Sequence, residues 1–296
     1  MIIFRHIGNH GRLGNQLFQL AALKSLGKRN NCDICLYDEI DRRHYDGQES
    51  LLNFFNHGIT LRNRESVERL ISYEYMENYE SIWKHIFDEN FKNIKPNTAI
   101  HGKFESEQYF IEYKQYIKES LEFRDDINVM AEKYIDEIKY LYPGKSLVGI
   151  HIRRGDFINN LEFNRDTYYE RNLLSYIGYC SEKYFKEDEN VFLIFTGGSH
   201  DNINTDDITW CKTYLPKWRN VHFCEENREI IDFAILAKCE HTILTSKSTF
   251  GWWASYLNKN KDKKIYVPRH SIGPKIYNPD SFWSEEFIQV TLSTSD

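Results

Sequence analysis

Ser146-Leu147-Val148-Gly149-Ile150-His151-Ile152-Arg153-Arg154-Gly155-Asp156-Phe157 is the stretch from which the fold is read. Up to Ile152 it is almost continuously apolar, as a strand buried on both faces of a parallel sheet must be. Tyr142-Pro143-Gly144-Lys145 sets it off from what precedes it. Further on, residues 165–185 and 227–239 read as helices, the second with Ile230, Phe233, Ala234 and Ala237 on one face. Residues 191–196 and 241–245 are apolar strand candidates, 220–224 a weaker one, 248–259 a helix and 263–268 a final strand. Strands alternating with helices specify an α/β protein with parallel sheets.

The same pattern begins at the N-terminus. Residues 1–7 are a strand candidate, Gly8–Gly14 a glycine loop, 15–29 a helix and 33–38 a second strand. Leu17, Leu20, Ala21 and Lys24 form a helical stripe, with the lysine stem at its edge. The stretch 60–140 is charged and aromatic, and 65–76 and 127–142 read as helical windows. Two starts imply two Rossmann-like domains, over 1–144 and 145–270, with a cleft between them as the ligand site. Residues 271–296 are expected to pack back on the first domain.

Composition excludes several classes. Hydrophobic residues make up 41%, enough to fill a core. The net charge of −6 argues against a nucleic-acid binder while leaving room for a local basic site. No apolar run is long enough to span a bilayer, and the N-terminus lacks the features of a signal peptide. A cytoplasmic protein is expected, at most peripheral to a membrane face. Cys32 and Cys35 form a lone C-x-x-C without the second ligand pair of a zinc site.

Candidate chemistry gathers in four places. Arg153 and Arg154 follow a buried strand, where open α/β sheets bind ligands, and paired guanidinium groups suit a phosphate or pyrophosphate. The alternative is a surface turn with an Arg–Asp pair. Asp156 either orients an arginine or acts as a base, and His151 precedes the pair. In the glycine loop, Arg12, Gly14 and Asn15 stand at a helix start whose amides favour anions; the loop lacks G-x-G-x-x-G, and an ordinary tight turn is the competing reading. Ser248 or Thr249 caps the helix that contains Phe250, Trp252 and Trp253, and either presents amides to a phosphate or only caps. Phe250 and Trp253 fall on a core face; Trp252 is either packed or lines a sugar site. Asp232 sits near a helix start and suits the N1–H and N2–H donors of guanine, or is simply a first-turn acid. The chain contains no D-x-D, H-E-x-x-H, G-x-S-x-G or Walker A motif.

Taken together these segments resemble the α-1,2-fucosyltransferases of glycosyltransferase family 11. GRLGNQLFQLAAL, HGKFESEQYF, VGIHIRRGDF, DDITWCKTYL and DFAILAKCEHTILTSKSTFGWWASYLN are similar, in order, to that family's blocks. The sequence departs from the family pattern at residues 197–205, inserted ahead of Asp206-Asp207.

The resemblance implies a GT-B-type enzyme of two Rossmann-like domains facing across a cleft. It implies inverting transfer of L-fucose from GDP-fucose to the 2-hydroxyl of a galactose-terminated oligosaccharide, with no metal or other cofactor. Arg153 would hold the β-phosphate, Arg154 the loop or the pyrophosphate, and His151 would approach the nucleotide. Ser248, Thr249 and Phe250 would contact the diphosphate, and Asp232 would read guanine. Arg12 and Asn15 would face the donor from the other domain. Other readings are a fucosyltransferase of another linkage, a protein O-fucosyltransferase, and a non-catalytic sugar-nucleotide binder.

Overall fold

The computed structural model describes residues 1–7, 11–38, 51–159, 168–197, 206–225, 227–269 and 278–292, except for the side chains of Trp83, Asp156, Asn159 and Tyr168. The chain forms two compact units, Met1–Arg124 with Tyr277–Ser284, and Asp125–Ile276 with Glu285–Asp296. The division therefore falls at Arg124/Asp125 instead of at 144/145.

In the first unit, β1 (Ile2–Phe4) leads to α1 (Leu13–Arg29), β2 (Ile34–Tyr37), β3 (Thr60–Arg62) and α2 (Arg64–Glu68). Then come β4 (Tyr73–Met76), α3 (Tyr79–Lys84), β5 (Thr98–His101) and α4 (Lys114–Glu119). The strands form one sheet in the order β3-β2-β1-β5-β4, and every pairing in it is parallel. Strand order reverses between β1 and β5, so a crevice opens at their carboxyl ends. Helix α1 is buried along almost its whole length, beyond the stripe read from its sequence. Lys24 is buried with it, and burial lowers its pKa to about 8.

The second unit begins with α5 (Asp125–Leu141), whose buried Ile127, Ala131, Ile135 and Ile138 make one stripe. It continues with β6 (Ser146–Ile152), α6 (Gly155–Asn159), α7 (Tyr168–Tyr184), β7 (Asn190–Thr196), α8 (Asp207–Tyr214) and β8 (Val221–Phe223). Next are α9 (Glu229–Leu236), β9 (His241–Leu244), α10 (Thr249–Tyr256) and β10 (Ile265–Pro268). Helix α11 (Pro279–Phe282) belongs to the first unit, and β11 (Ile288–Val290) closes the sheet of the second. The sheet order is β11-β10-β9-β6-β7-β8, again parallel throughout. Relabelled from β6, this is the doubly wound order 3-2-1-4-5-6, with its reversal between β6 and β9. Leu147, Val148, Ile150 and Ile152 are fully buried, as the unbroken apolar run predicts. On one face α9 packs so closely on β6 that a Cβ at Gly149 would lie 2.5 Å from Leu236 Cδ1. Among the described residues no helix is long and apolar enough to cross a membrane.

Three expectations are corrected. Residues 65–76 are not one helix: α2 stops at Glu68 and Tyr73–Met76 becomes the edge strand β4. Pairing with β5, from Tyr73↔Thr98 to Met76↔His101, outweighs the local helical pattern. Strands β3, β5 and β11 are absent from the sequence reading, being short segments without a continuous apolar run. Residues 263–268 are therefore not the last strand.

Candidate functional site

Each unit has a polar cluster at the carboxyl end of its sheet, and each is described on its own. In the second unit, Thr245 ties the ends of β6 and β9 together. Its hydroxyl donates to the His151 carbonyl at 2.9 Å, and the Arg153 N–H donates to Thr245 Oγ1 at 3.4 Å. The Tyr169 hydroxyl donates to the Arg153 carbonyl. The backbone of Arg153 is thus held from two sides at the point where strand order reverses. Its half-buried guanidinium lies 5.4 Å from the Phe157 ring. Asp156 is in α6, and its side chain lies outside the described residues.

Arg154 is used differently. It is 4% exposed, its Nε donates to Asp207 Oδ1 at 3.0 Å, and its Nη1 donates to Glu170. Its guanidinium stacks 3.9 Å over Trp210. The other Asp207 oxygen accepts the Gly155 N–H at 3.3 Å. Gly155 has φ +35°, a value that suits glycine. Of the two roles implied for Arg154, the geometry is that of holding the loop. Asp207 belongs to the acidic pair noted in the sequence; Glu170 could be found only from the fold.

The His151 ring is buried and stacks on Phe250 at 5.2 Å, and Phe250 meets Phe233 edge-on at 5.0 Å. Ser248 is buried, and its Oγ accepts the Gly251 N–H at 3.4 Å. That hydroxyl acts as the helix cap, while the half-buried Thr249 opens α10. Trp252 does not line a sugar site. It is 0% exposed and packs on Tyr256 at 4.6 Å and Trp253 at 5.0 Å, because α10 is buried on more than one side from Gly251 onward. Asp232, half-buried in the first turn of α9, accepts from Asn227 Nδ2 at 2.9 Å. Burial raises its pKa to about 6, the Asn227 bond lowers it, and Glu229 adds to the rise.

In the first unit the polar residues of GNQLFQ hold loops. Gln16 Oε1 accepts the Leu51 N–H at 2.9 Å, and Gln19 Nε2 donates to the Gly102 carbonyl at 3.1 Å. Asn15 Nδ2 donates to Glu105. The other Glu105 oxygen lies 3.0 Å from His85 Nδ1, both side chains being buried. Burial pushes the Glu105 carboxyl up, opposed by Lys103. Gly14 is buried in the first turn of α1, and Arg12, 8% exposed, is the residue before that helix. At Gly11, φ is +139° and a Cβ would fall 2.5 Å from Asn15 Cβ, so glycine is required for the turn. Glu77 reaches the same region: its Oε2 accepts the N–H groups of Lys103 and Phe104 at 2.7 and 2.9 Å. Sequence reasoning missed Glu105, His85 and Glu77. The only signal was that Asn15, Gln16 and Gln19 lie on a helix too apolar to leave amides without partners.

Two parallel α/β units of this kind define a GT-B-type glycosyltransferase fold. The chain belongs to glycosyltransferase family 11, whose family model matches residues 4–284. It is 29% identical to an alpha-1,2-colitosyltransferase of Escherichia coli over 59% of this chain and 56% of that one. It is 23% identical to galactoside alpha-(1,2)-fucosyltransferase 2 of Hylobates lar, over 96% of this chain and 78% of the relative. It thus spans little more than half the length of the E. coli relative. Among solved structures, fucosyltransferase NodZ from Bradyrhizobium matches with a TM-score of 0.53 at 14% identity, covering 86% of this chain and 91% of that one. POFUT1 in complex with GDP matches with a TM-score of 0.51 at 13% identity, covering 90% and 97%. At these identities the structural likeness carries the fold.

Proposed function

We propose that this chain is a metal-independent, inverting galactoside 2-α-L-fucosyltransferase that uses GDP-fucose. The observation that carries the reading is the division of labour in the Arg153-Arg154 pair. Arg154 is occupied by Asp207 and Glu170, while the backbone of Arg153 is fixed at the β6/β9 reversal. A guanidinium there stabilises GDP as its negative charge develops, with help from the amides at the start of α10. The acceptor's 2-hydroxyl oxygen forms a bond to the anomeric carbon as the bond to the β-phosphate oxygen breaks. The electron pair leaves with GDP, and the hydroxyl proton passes to a base, for which Asp156 and Glu107 are carboxylates of the matched blocks. Asp232 reads the guanine. The likeness to galactoside-acting relatives supports the acceptor class.

A second reading, transfer of colitose, is favoured by the higher identity to the E. coli relative. The test is incubation with GDP-fucose or a colitosyl donor and a panel of galactosides, with and without chelator, followed by NMR of the product linkage. An α-1,2-fucosyl galactoside formed equally with chelator is the expected result. Another linkage, a peptide acceptor, full loss with chelator, or GDP binding without transfer would each overturn it.

A further inference from the structure

Asp232 belongs to a polar cluster formed by residues of α5, β8 and α9. The Tyr134 hydroxyl, on α5, pairs with His222 Nε2 on β8 at 2.9 Å. The same hydroxyl lies near the side chains of Cys224 and Asn227. Asn227, on the loop between β8 and α9, donates to Asp232 Oδ1 at 2.9 Å. These residues come from three elements and lie at the carboxyl end of β8, on the ligand side of the sheet.

We infer that Asn227, backed by Tyr134, is a positioning residue that holds the Asp232 carboxylate for a guanine base and makes base recognition depend on that carboxylate's proton. The inference rests on the GDP-linked donor proposed above. Guanine offers two donors, N1–H and N2–H, to an ionised carboxylate. Hypoxanthine offers only N1–H, and adenine presents an N1 lone pair that a carboxylate repels. A protonated Asp232 loses half of its acceptor capacity and with it the contrast between these bases. Asn227 donates an N–H to the carboxylate and so favours the ionised form.

Of the groups near Asp232, Glu229 on the same helix acts the opposite way and raises its pKa. The Cys224 thiol and Tyr134 hydroxyl lie close enough to interact with the carboxylate electrostatically. Neither of these carries charge near neutrality: burial holds the Cys224 thiol well above its usual value and pushes the Tyr134 phenol up. His222 is the histidine of this cluster, and burial lowers its pKa while Glu225 raises it. It therefore has to be separated from Asp232 by experiment.

The experiment is calorimetric binding of GDP, IDP and ADP to the full chain between pH 5 and 8. The terminal phosphates of all three nucleotides also titrate in this window, so the readout is the ratio of GDP affinity to that of IDP and ADP, which for the unmodified protein should narrow below a midpoint near pH 6. Asn227→Ala should move that midpoint up by about one unit, and Asn227→Ser, the more conservative change, should move it in the same direction. His222→Gln should leave the midpoint in place, and Asp232→Asn should abolish both the preference for GDP and the pH dependence of that preference. A midpoint unmoved in both Asn227 variants, or a midpoint that disappears with His222→Gln, would overturn the inference. Absence of GDP binding at every pH would instead overturn the donor reading on which it rests.

Discussion

Arg154→Ala separates the two roles open to the second arginine of the His151–Asp156 segment. The side chain is 4% exposed, bonded to Asp207 at 3.0 Å and to Glu170, and stacked on Trp210. Truncation leaves Asp207, itself buried, without the cation that compensates it. Removing one partner of a buried ion pair costs about 3–5 kcal/mol. At about 2–4 °C per kcal/mol for a unit of this size, Tm should fall by about 6–20 °C. Urea unfolding followed by tryptophan fluorescence measures the loss directly. Arg154→Met combined with Asp207→Asn and Glu170→Gln should recover much of it, because no charge is then buried alone. Arg153→Ala makes the contrast: it should change stability by less than about 1 kcal/mol and lower kcat/KM by about 2–4 kcal/mol of transition-state stabilisation. An Arg154→Ala protein with unchanged unfolding midpoint but no GDP binding would refute the reasoning and make Arg154 a pyrophosphate ligand.

Two other substitutions test assignments made from burial. Trp252→Ala should destabilise by about 3–5 kcal/mol, because a fully buried indole is lost, whereas Trp252→Phe should fold and keep the acceptor KM; a raised KM at normal stability would restore Trp252 to the sugar site. Asp232 has a pKa raised from 3.8 to about 6 by burial, so the folded protein holds a proton that the unfolded chain has released. Stability is therefore lost as pH rises from about 4 to 6 and stays lower above that range. Asp232→Asn should stabilise the ligand-free protein by about 1–3 kcal/mol at pH 7.5 and by almost nothing at pH 4. Equal gains at the two pH values, measured by urea unfolding, would show that the carboxylate is not the cause.

How much was legible can be seen in β6 and β4. The apolar run of β6 needs only its own residues, because a strand with sheet neighbours on both edges and helices on both faces admits little else. Strand β4 has an exposed face and no such run; its conformation depends on pairing with β5, more than twenty positions away in the chain. The two glycine-rich and arginine-rich segments were legible as ligand-side loops for a related reason. They directly follow apolar strands, and the carboxyl ends of parallel strands face the ligand.

Sequence by itself determined the α/β class, the two starts of the pattern, and the family blocks that carry Arg153, Asp232 and Ser248. Tertiary structure alone decided what each polar side chain touches. It turned Arg154 inward to Asp207 and Glu170, buried Trp252, and brought Asn227 and Tyr134 to the cluster around Asp232. It also joined Asn15 to Glu105 and His85. The physical reason is the range of the forces. Hydrophobic periodicity is a local property, recorded in consecutive residues. The pairing of buried charges and amides is settled by whichever distant groups the fold brings within about 3 Å.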